Sequence, residues 1–351
     1  MSAPVLLVGI LAEAAMQEAL GLSGVRDDLA GVLAGGARAG IDRDGWPRLL
    51  PGQGTVAAVR VTPNAALIRY AEVMGLAVRD GILGLGEGEA EGPPQVPLAA
   101  AIARHILAAP SERSVADIVA RLPMIGVVAA SELRGAGSPP SGAPLVDLRA
   151  PQDVQVIARD EAFAGYFAVN ICQLRHRTHA GGMTPALRRE VFVSGDAVVV
   201  LPWDPVRDRV LLIQQFRVAP LLRHDPQPWL LEPVAGRVDA GETVEDAARR
   251  EAREEADLTL TRLVPVIHHY PSPGALGEYL YLFVGIADLP DGIEGVHGLE
   301  SEAEDIRGHL IPRDELTRMA LGGQVVNGPL AMIALWLELR QGAIRAELGL
   351  A

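Results

Sequence analysis

The 351-residue chain contains no lysine, so all 31 of its permanently basic side chains are arginines. A lysine nucleophile and the lysine of a phosphate-binding P-loop are therefore excluded. Cysteine occurs once, as Cys172, which rules out a disulfide framework and a multi-cysteine zinc site. A lone cysteine fits a reducing cytoplasm. Aromatic residues make up only 4% of the chain against 49% apolar residues, so its cores must be built from Ala, Val and Leu. Basic charge is in short supply. A net charge of −13 argues against a nucleic-acid partner, since phosphate binding depends on cationic patches. Residues 1–22 are apolar in places but have no basic leader and carry Glu13 and Glu18. They read as neither a signal peptide nor a membrane span, and a cytoplasmic protein without a membrane partner is expected.

At this length the chain reads as two domains. Its most informative stretch is Gly236-Arg237-Val238-Asp239-Ala240-Gly241-Glu242, followed after seven residues by Arg250-Glu251-Ala252-Arg253-Glu254-Glu255-Ala256-Asp257-Leu258. Thr243, with Asp246 three residues on, makes a capping-box-like start, and Ala, Arg and Glu fill the positions up to Ala256. A helix is expected from Thr243. Glu251 and Glu255 are four apart and Glu254 is three from Glu251, which puts three carboxylates on one side of that helix. A hard divalent cation that shares its oxygen ligands with phosphates would relieve their repulsion. The plain alternative is a solvated acidic face balanced by Arg249, Arg250 and Arg253. That alternative explains the composition but not the fixed distance from the glycine-rich turn.

The spacing resembles the Nudix box. With each residue type at roughly 5–10% of usage, five charged matches would coincide at about one start position in a million. One position departs from the family: Asp257 stands where a glycine usually ends the helix in the left-handed conformation, which Asp is among the few side chains to tolerate. The likeness runs from about Val154 to Arg340. It is carried by the strand-like stretch Phe163 to Arg177, by Val210 to Val218, by Trp229 to Ala235, by Pro271-Ser-Pro-Gly-Ala-Leu-Gly-Glu278 and by Glu302-Ala-Glu-Asp-Ile-Arg307. Together these segments look like the ADP-ribose pyrophosphatase branch of the Nudix hydrolases.

That resemblance implies Mg²⁺, or Mn²⁺ in its place, on Glu251 and Glu255, with Glu254 supporting them and the backbone carbonyl of Ala235 completing the cage. It implies a general base outside the box, with Glu302 the first candidate and Glu304 the second. Arg250 would pair with a carboxylate and fix the helix on the loop. Arg189 and Arg217 are candidates for the diphosphate, which a planar guanidinium grips in a bidentate way. Glu278 would accept hydrogen bonds from ribose hydroxyls, and Gly274 lies in the substrate turn before it. His268 and His269 are adjacent in a strand and point opposite ways, so both read as structural.

Ahead of this region, Val5 to Ile10 reads as a strand, Leu11 to Leu20 as helical, Thr55 to Val61 as a strand, Ala65 to Met74 as a helix and Leu76 to Leu85 as a strand. The order is similar to the gamma-glutamylcyclotransferase-like fold, a small mixed barrel that tellurite-resistance-type Nudix proteins join to a Nudix domain. That chemistry needs a Tyr-Gly-Ser/Thr-Leu loop and a glutamate base. Here the loop reads Val8-Gly9-Ile10-Leu11, without the aromatic or the hydroxyl, and Glu72 reads as a solvated helix residue. Two short apolar helices, Ala99 to Ala108 and Val115 to Leu122, precede a Gly/Pro/Ser linker over 134–144.

The expected architecture is α/β (α+β). A degenerate cyclotransferase-like domain spans 1–110, a helical segment and linker 111–150, and a Nudix α/β/α sandwich with a mixed sheet 151–351. The expected activity is Mg²⁺-dependent hydrolysis of ADP-ribose, or a similar nucleoside diphosphate sugar, to AMP and a sugar phosphate. Two alternatives stay open: another nucleoside diphosphate derivative (a GDP-sugar or a dinucleotide) as substrate, or a sensor that binds ADP-ribose without turnover. The resemblance also implies a homodimer through the Nudix domain, with residues 163–192 as the exchanged segment.

Overall fold

In a computed structural model of the protein, residues 3–140, 142–146, 149–298 and 305–350 are described. Two compact units are present: Met1–Gly195 with Asp239–Gly241, and Asp196–Val238 with Glu242–Ala351.

The first unit opens on strands β1 (Val5–Val8), β2 (Val25–Ala34), β3 (Arg48–Val61) and β4 (Ile82–Leu83). They form a mixed sheet in the order β2-β3-β1-β4, with β1 antiparallel to β3 and parallel to β4. Successive side chains leave opposite faces of a strand. Val5, Leu7, Val59 and Val61 therefore join the larger core, while Leu6, Val8, Val56 and Ala58 form a smaller cluster. Helices α1 (Ala14–Ala19), α2 (Ala65–Met74), α3 (Val96–Ala108), α4 (Val115–Ala120) and α5 (Leu122–Gly137) fill out the larger core. Asn64 starts α2 by accepting the Leu67 N–H at 2.8 Å, and Gly75 at φ +68° ends it. Glu72 is exposed on α2, as its solvated reading requires.

Several expected boundaries move. β1 stops at Val8 because Gly9, at φ +57°, turns the chain into a short 3₁₀ segment. The strand foreseen over 76–85 shrinks to Ile82–Leu83. β2 was not foreseen, because Arg26-Asp27-Asp28 interrupts any apolar alternation. α5 runs on to Gly137, past the start of the expected linker, carried by the buried face of Ile125, Val127, Ala129 and Ala130.

The first unit continues with an antiparallel meander of β5 (Val154–Ala164), β6 (Ala168–His176) and β7 (Leu187–Val193). Glu161 on β5 accepts from Arg121 at 3.1 Å through both oxygens and from Arg113 at 2.5 Å, which ties the meander to the helices.

The second unit holds β8 (Ala197–Asp204), β9 (Arg209–Phe216), β10 (Trp229–Glu232), β11 (Val234–Arg237), β12 (Arg262–Pro265), the two-residue β13 (Leu276–Gly277), β14 (Leu280–Ile286), β15 (Val296–His297) and β16 (Ile306–Pro312). Its sheet runs β12-β14-β8-β9-β16-β15, with β10 on β9 and β11 on β8. The β14–β8 pair is parallel and its neighbours are antiparallel. Helices α6 (Val218–Leu222), α7 (Val244–Ala256), α8 (Arg313–Leu321) and α9 (Gly328–Glu347) complete the unit.

All eight residues of β8 are buried. Leu201, Trp203, Val210 and Leu212 pack on Leu316 of α8 and on Leu330, Ile333 and Leu337 of α9. Their sequence neighbours Val198, Val200, Leu211 and Ile213 pack on the alanines of α7. Helices on both faces of a mixed sheet make this unit the α/β/α sandwich that the sequence implied. At the β8–β9 turn Asp208 accepts from Trp203 Nε1 at 3.1 Å and from Arg313 at 2.9 and 3.1 Å, and lies 2.8 Å from Arg345. Among the described residues no helix is long and apolar enough to cross a membrane.

Candidate active site

α7 is set by its ends. The Thr243 hydroxyl accepts the Asp246 N–H at 3.1 Å and donates to the Asp246 carboxylate at 2.6 Å. Glu245 and Asp246 place negative charge in the first turn, where the helix dipole favours it. Asp257 closes the helix at φ +51°, ψ +36°, its N–H donating to the carbonyls of Ala252 and Arg253. Ala247, Ala248, Ala252 and Ala256 let this helix lie close on the sheet. On the same rows Glu251 and Glu255 are 9% and 3% exposed.

Carboxylates buried so deeply need partners. Arg250 reaches Glu251 at 2.7 Å and Glu254 at 3.0 Å through Nη1, and Glu242 at 3.1 and 3.0 Å through Nε and Nη2. Its Nη2 also donates to the Arg237 carbonyl at 2.9 Å, which fastens the helix to the glycine-rich turn. Burial disfavours this guanidinium's charge, but hydrogen bonds to Glu242 and Glu251 outweigh it and raise its pKa above the ordinary value. The Ala235 N–H donates to Glu255 at 2.9 Å.

Gly236 explains the fixed spacing of the motif. A Cβ there would lie 1.9 Å from Glu251 Oε1, so only glycine leaves room for that carboxylate against the strand. Three carboxylates on one helix face beside this cradle form an all-oxygen donor set suited to a hard divalent cation. In the geometry seen here Arg250 bridges Glu251 and Glu254, and among the described residues no three His, Cys, Asp or Glu side chains converge tightly enough to hold an ion.

The other candidates fall at different places. Arg217 lies at the end of β9 against Glu232, with contacts of 2.6 to 3.2 Å, and Gln215 donates to the same carboxylate at 3.3 Å. Glu278 meets Arg237 at 2.7 Å, so a guanidinium stands where ribose hydroxyls were expected. Gly274 is in an exposed turn. Arg189 is exposed on β7 in the first unit, its Nη1 donating to the Arg188 carbonyl at 2.9 Å. Glu302 and Glu304 lie outside the described residues. His268 is half-buried between the rings of Tyr281 and Phe283, and its Nδ1 accepts the Leu282 N–H at 3.2 Å. Burial pushes its pKa down against the pull of Glu245. Reading the residues in order missed Glu232 and Arg237 as partners, because each pairing is made by strands or turns distant in sequence.

A family model described as the NUDIX domain matches residues 193–329. The ADP-ribose pyrophosphatase of Escherichia coli (strain K12) is 42% identical over 195 residues, covering 56% of this chain and 92% of that protein. The chain belongs to the Nudix family. The ADP-ribose pyrophosphatase of Haemophilus influenzae is 34% identical over 197 residues, covering 55% of this chain and 90% of that protein. A GDP-mannose pyrophosphatase of Enterobacter sp. (strain 638) is 30% identical over 162 residues, covering 46% and 83%. These identities place the chain in the ADP-ribose pyrophosphatase branch of the Nudix hydrolases. It is a Nudix pyrophosphohydrolase, and α7 with the Gly236 turn lies within the matched residues.

Proposed function

We propose that this Nudix enzyme hydrolyses the diphosphate bond of ADP-ribose, or of a closely similar nucleoside diphosphate sugar, to AMP and a sugar phosphate. The observation that carries this reading is the buried pair Glu251 and Glu255, held in a cradle that a Cβ at Gly236 would fill. Glu251, Glu254, Glu255 and the Ala235 carbonyl would hold Mg²⁺, with Mn²⁺ able to replace it. Bound there, the cation supplies charge neutralisation for the diphosphate. Arg250 holds the helix against the turn throughout. Arg217, positioned by Glu232, and Arg189 are assigned to phosphate oxygens, Glu278 and Gly274 to the sugar end, and Glu302, with Glu304 next, to the general base.

The test is a panel of nucleoside diphosphate sugars incubated with Mg²⁺ and read by released nucleotide. We expect AMP from ADP-ribose, no turnover in chelator, and a loss of at least about 100-fold in Glu251→Gln, the scale of one lost electrostatic contact in a transition state. Binding of ADP-ribose without any AMP would make the protein a sensor and overturn the proposal. The GDP-mannose pyrophosphatase among the relatives favours a GDP-sugar as the second substrate reading, and the same panel separates the two.

The Escherichia coli relative covers 56% of this chain, which supports a hydrolase module of about that extent; that module is assigned to 151–351, a connection to 111–150 and a cyclotransferase-like module without activity of its own to 1–110. Release of 5-oxoproline from γ-glutamyl peptides would refute that inactivity. A homodimer through the hydrolase module is supported by the exposed Phe163 and Tyr166 on the 163–192 segment; a monomer of full activity on gel filtration would contradict it. A cytoplasmic location accords with the single cysteine, and export of the native protein would refute it.

A further inference from the structure

β9 and β10 serve two different faces of the second unit. Ile213, Gln215 and, opposite Ile213 in the β10 register, Glu232 belong to the α7 side. Leu212, Gln214 and its register partner Leu231 belong to the other side, where they floor a cavity of about 720 Å³. That volume is within the range of small-molecule sites. β16, the residues after α6 and the end of α8 close the cavity.

Much of its wall is apolar, with Trp229, Ile311 and Met319 among the residues; its polar lining is Gln214, Gln227, Gln324 and His309, together with the ion pair Arg223–Asp225. Gln214 Oε1 lies 3.0 Å from His309 Nε2. With the amide oxygen so engaged, the Gln214 NH₂ is left to donate, and among the described residues no protein group accepts from it. Burial, then the charge of Arg307, pushes the His309 pKa down, which favours the uncharged imidazole. Trp229 meets Phe216 edge-on at 5.4 Å and is 48% exposed, which leaves ring surface for a stacking partner. At the rim stands Arg223, whose side chain is 79% exposed. Its pair with Asp225, at 2.7 Å, is an exposed ion pair of the weak kind, so the guanidinium can turn from that carboxylate to a phosphate at little cost.

A directed amide, an aromatic wall and an exposed arginine, paired among the described residues only with Asp225, match a neutral heterocycle that trails a phosphate. We propose that this cavity binds a nucleoside 5′-monophosphate on the sheet face opposite the α7 carboxylates. Resting on the reaction proposed above, such a ligand is of the enzyme's own product class, and the cavity is a product-binding site separate from the catalytic one.

The full chain is photolabelled with 8-azido-AMP in chelator, and the labelled peptides are mapped by mass spectrometry. Calorimetric titrations with AMP and with adenosine accompany it. Label is expected within 223–231 or 309–326. Gln214→Leu and Trp229→Ala should each weaken AMP about tenfold or more, the scale of one base-stacking contact. Arg223→Ala, an exposed change that leaves the fold alone, should weaken AMP about tenfold and leave adenosine within about twofold. Initial rates on the nucleotide sugar should stay within about twofold in all three variants, since none touches the carboxylate helix. Label confined to 237–256, or absent, overturns the proposal, as does an AMP affinity that none of the three variants moves. If the cavity labels but no nucleotide sugar is cleaved, the reaction reading fails and the binding site stands. Cleavage without label in the cavity gives the reverse.

Discussion

Gly236 and Glu251 hold each other's identity. The carboxylate occupies space that any side chain at 236 would need, since even a Cβ would come within 1.9 Å of Oε1. Gly236→Ala must therefore push Glu251 aside. We expect kcat to fall about 100-fold, the usual result of a displacement near 1 Å at a catalytic group. Steady-state kinetics check this, and a variant within about threefold of wild type would show that the cradle does not set the geometry. At this scale the sequence was legible for the acidic residues, because their spacing is local, and illegible for what holds them. Arg217 and Glu232 are 15 residues apart and meet only through the β9–β10 register. Arg237 and Glu278 are 41 apart and meet through the turn before β14. No periodicity within one stretch could announce either pairing.

α7 was the most legible element, since its start, its acidic row and its end are all written within fifteen residues. Its one departure from the family makes a stability prediction. Asp257 sits at φ +51°, where a side chain costs more than glycine does. Asp257→Gly should stabilise the protein by about 0.5–1 kcal/mol, measured as a higher denaturant midpoint at constant slope. An unchanged or lower midpoint would mean that the Asp side chain itself contributes to the helix exit. β2 shows the opposite case. Its pattern is mostly exposed, and its pairing with β3 slips by a bulge between Ala30 and Val32, so no two-residue rhythm survives to be read. The length of α5 was hidden for another reason. Its Gly135 and Gly137 resemble linker residues, yet both lie in open space on a helix already committed by its buried face.

For the molecule as a whole, the first unit has an acid-sensitive fastening. Glu161 is opposed by burial, but Arg121 and then Arg113 hold its carboxyl below the ordinary value of 4.5. A carboxylate lowered by folding contributes stability that is full above the unfolded-state pKa. That contribution is lost as pH falls through the lower folded value. Between about pH 5 and about pH 3 the wild type should therefore lose melting temperature more steeply than Glu161→Gln, the two converging at the acid end. Parallel curves would show that the bridge is too well solvated to matter. In the second unit the sandwich was legible as a class, because buried runs such as Ala197 to Asp204 alternate with helix-forming stretches. The cavity beyond Gln214 was not, since its lining comes from four separated segments.

The pleat of β9 and β10 also bears on how this protein can change over generations. Odd and even positions of the same short strands answer to different constraints, one set to the α7 side and the other to whatever fills the opposite hollow. Single replacements can revise either surface while sparing its counterpart. A one-residue insertion or deletion in β10 cannot, because it would exchange Glu232 for Leu231 and disable both at once.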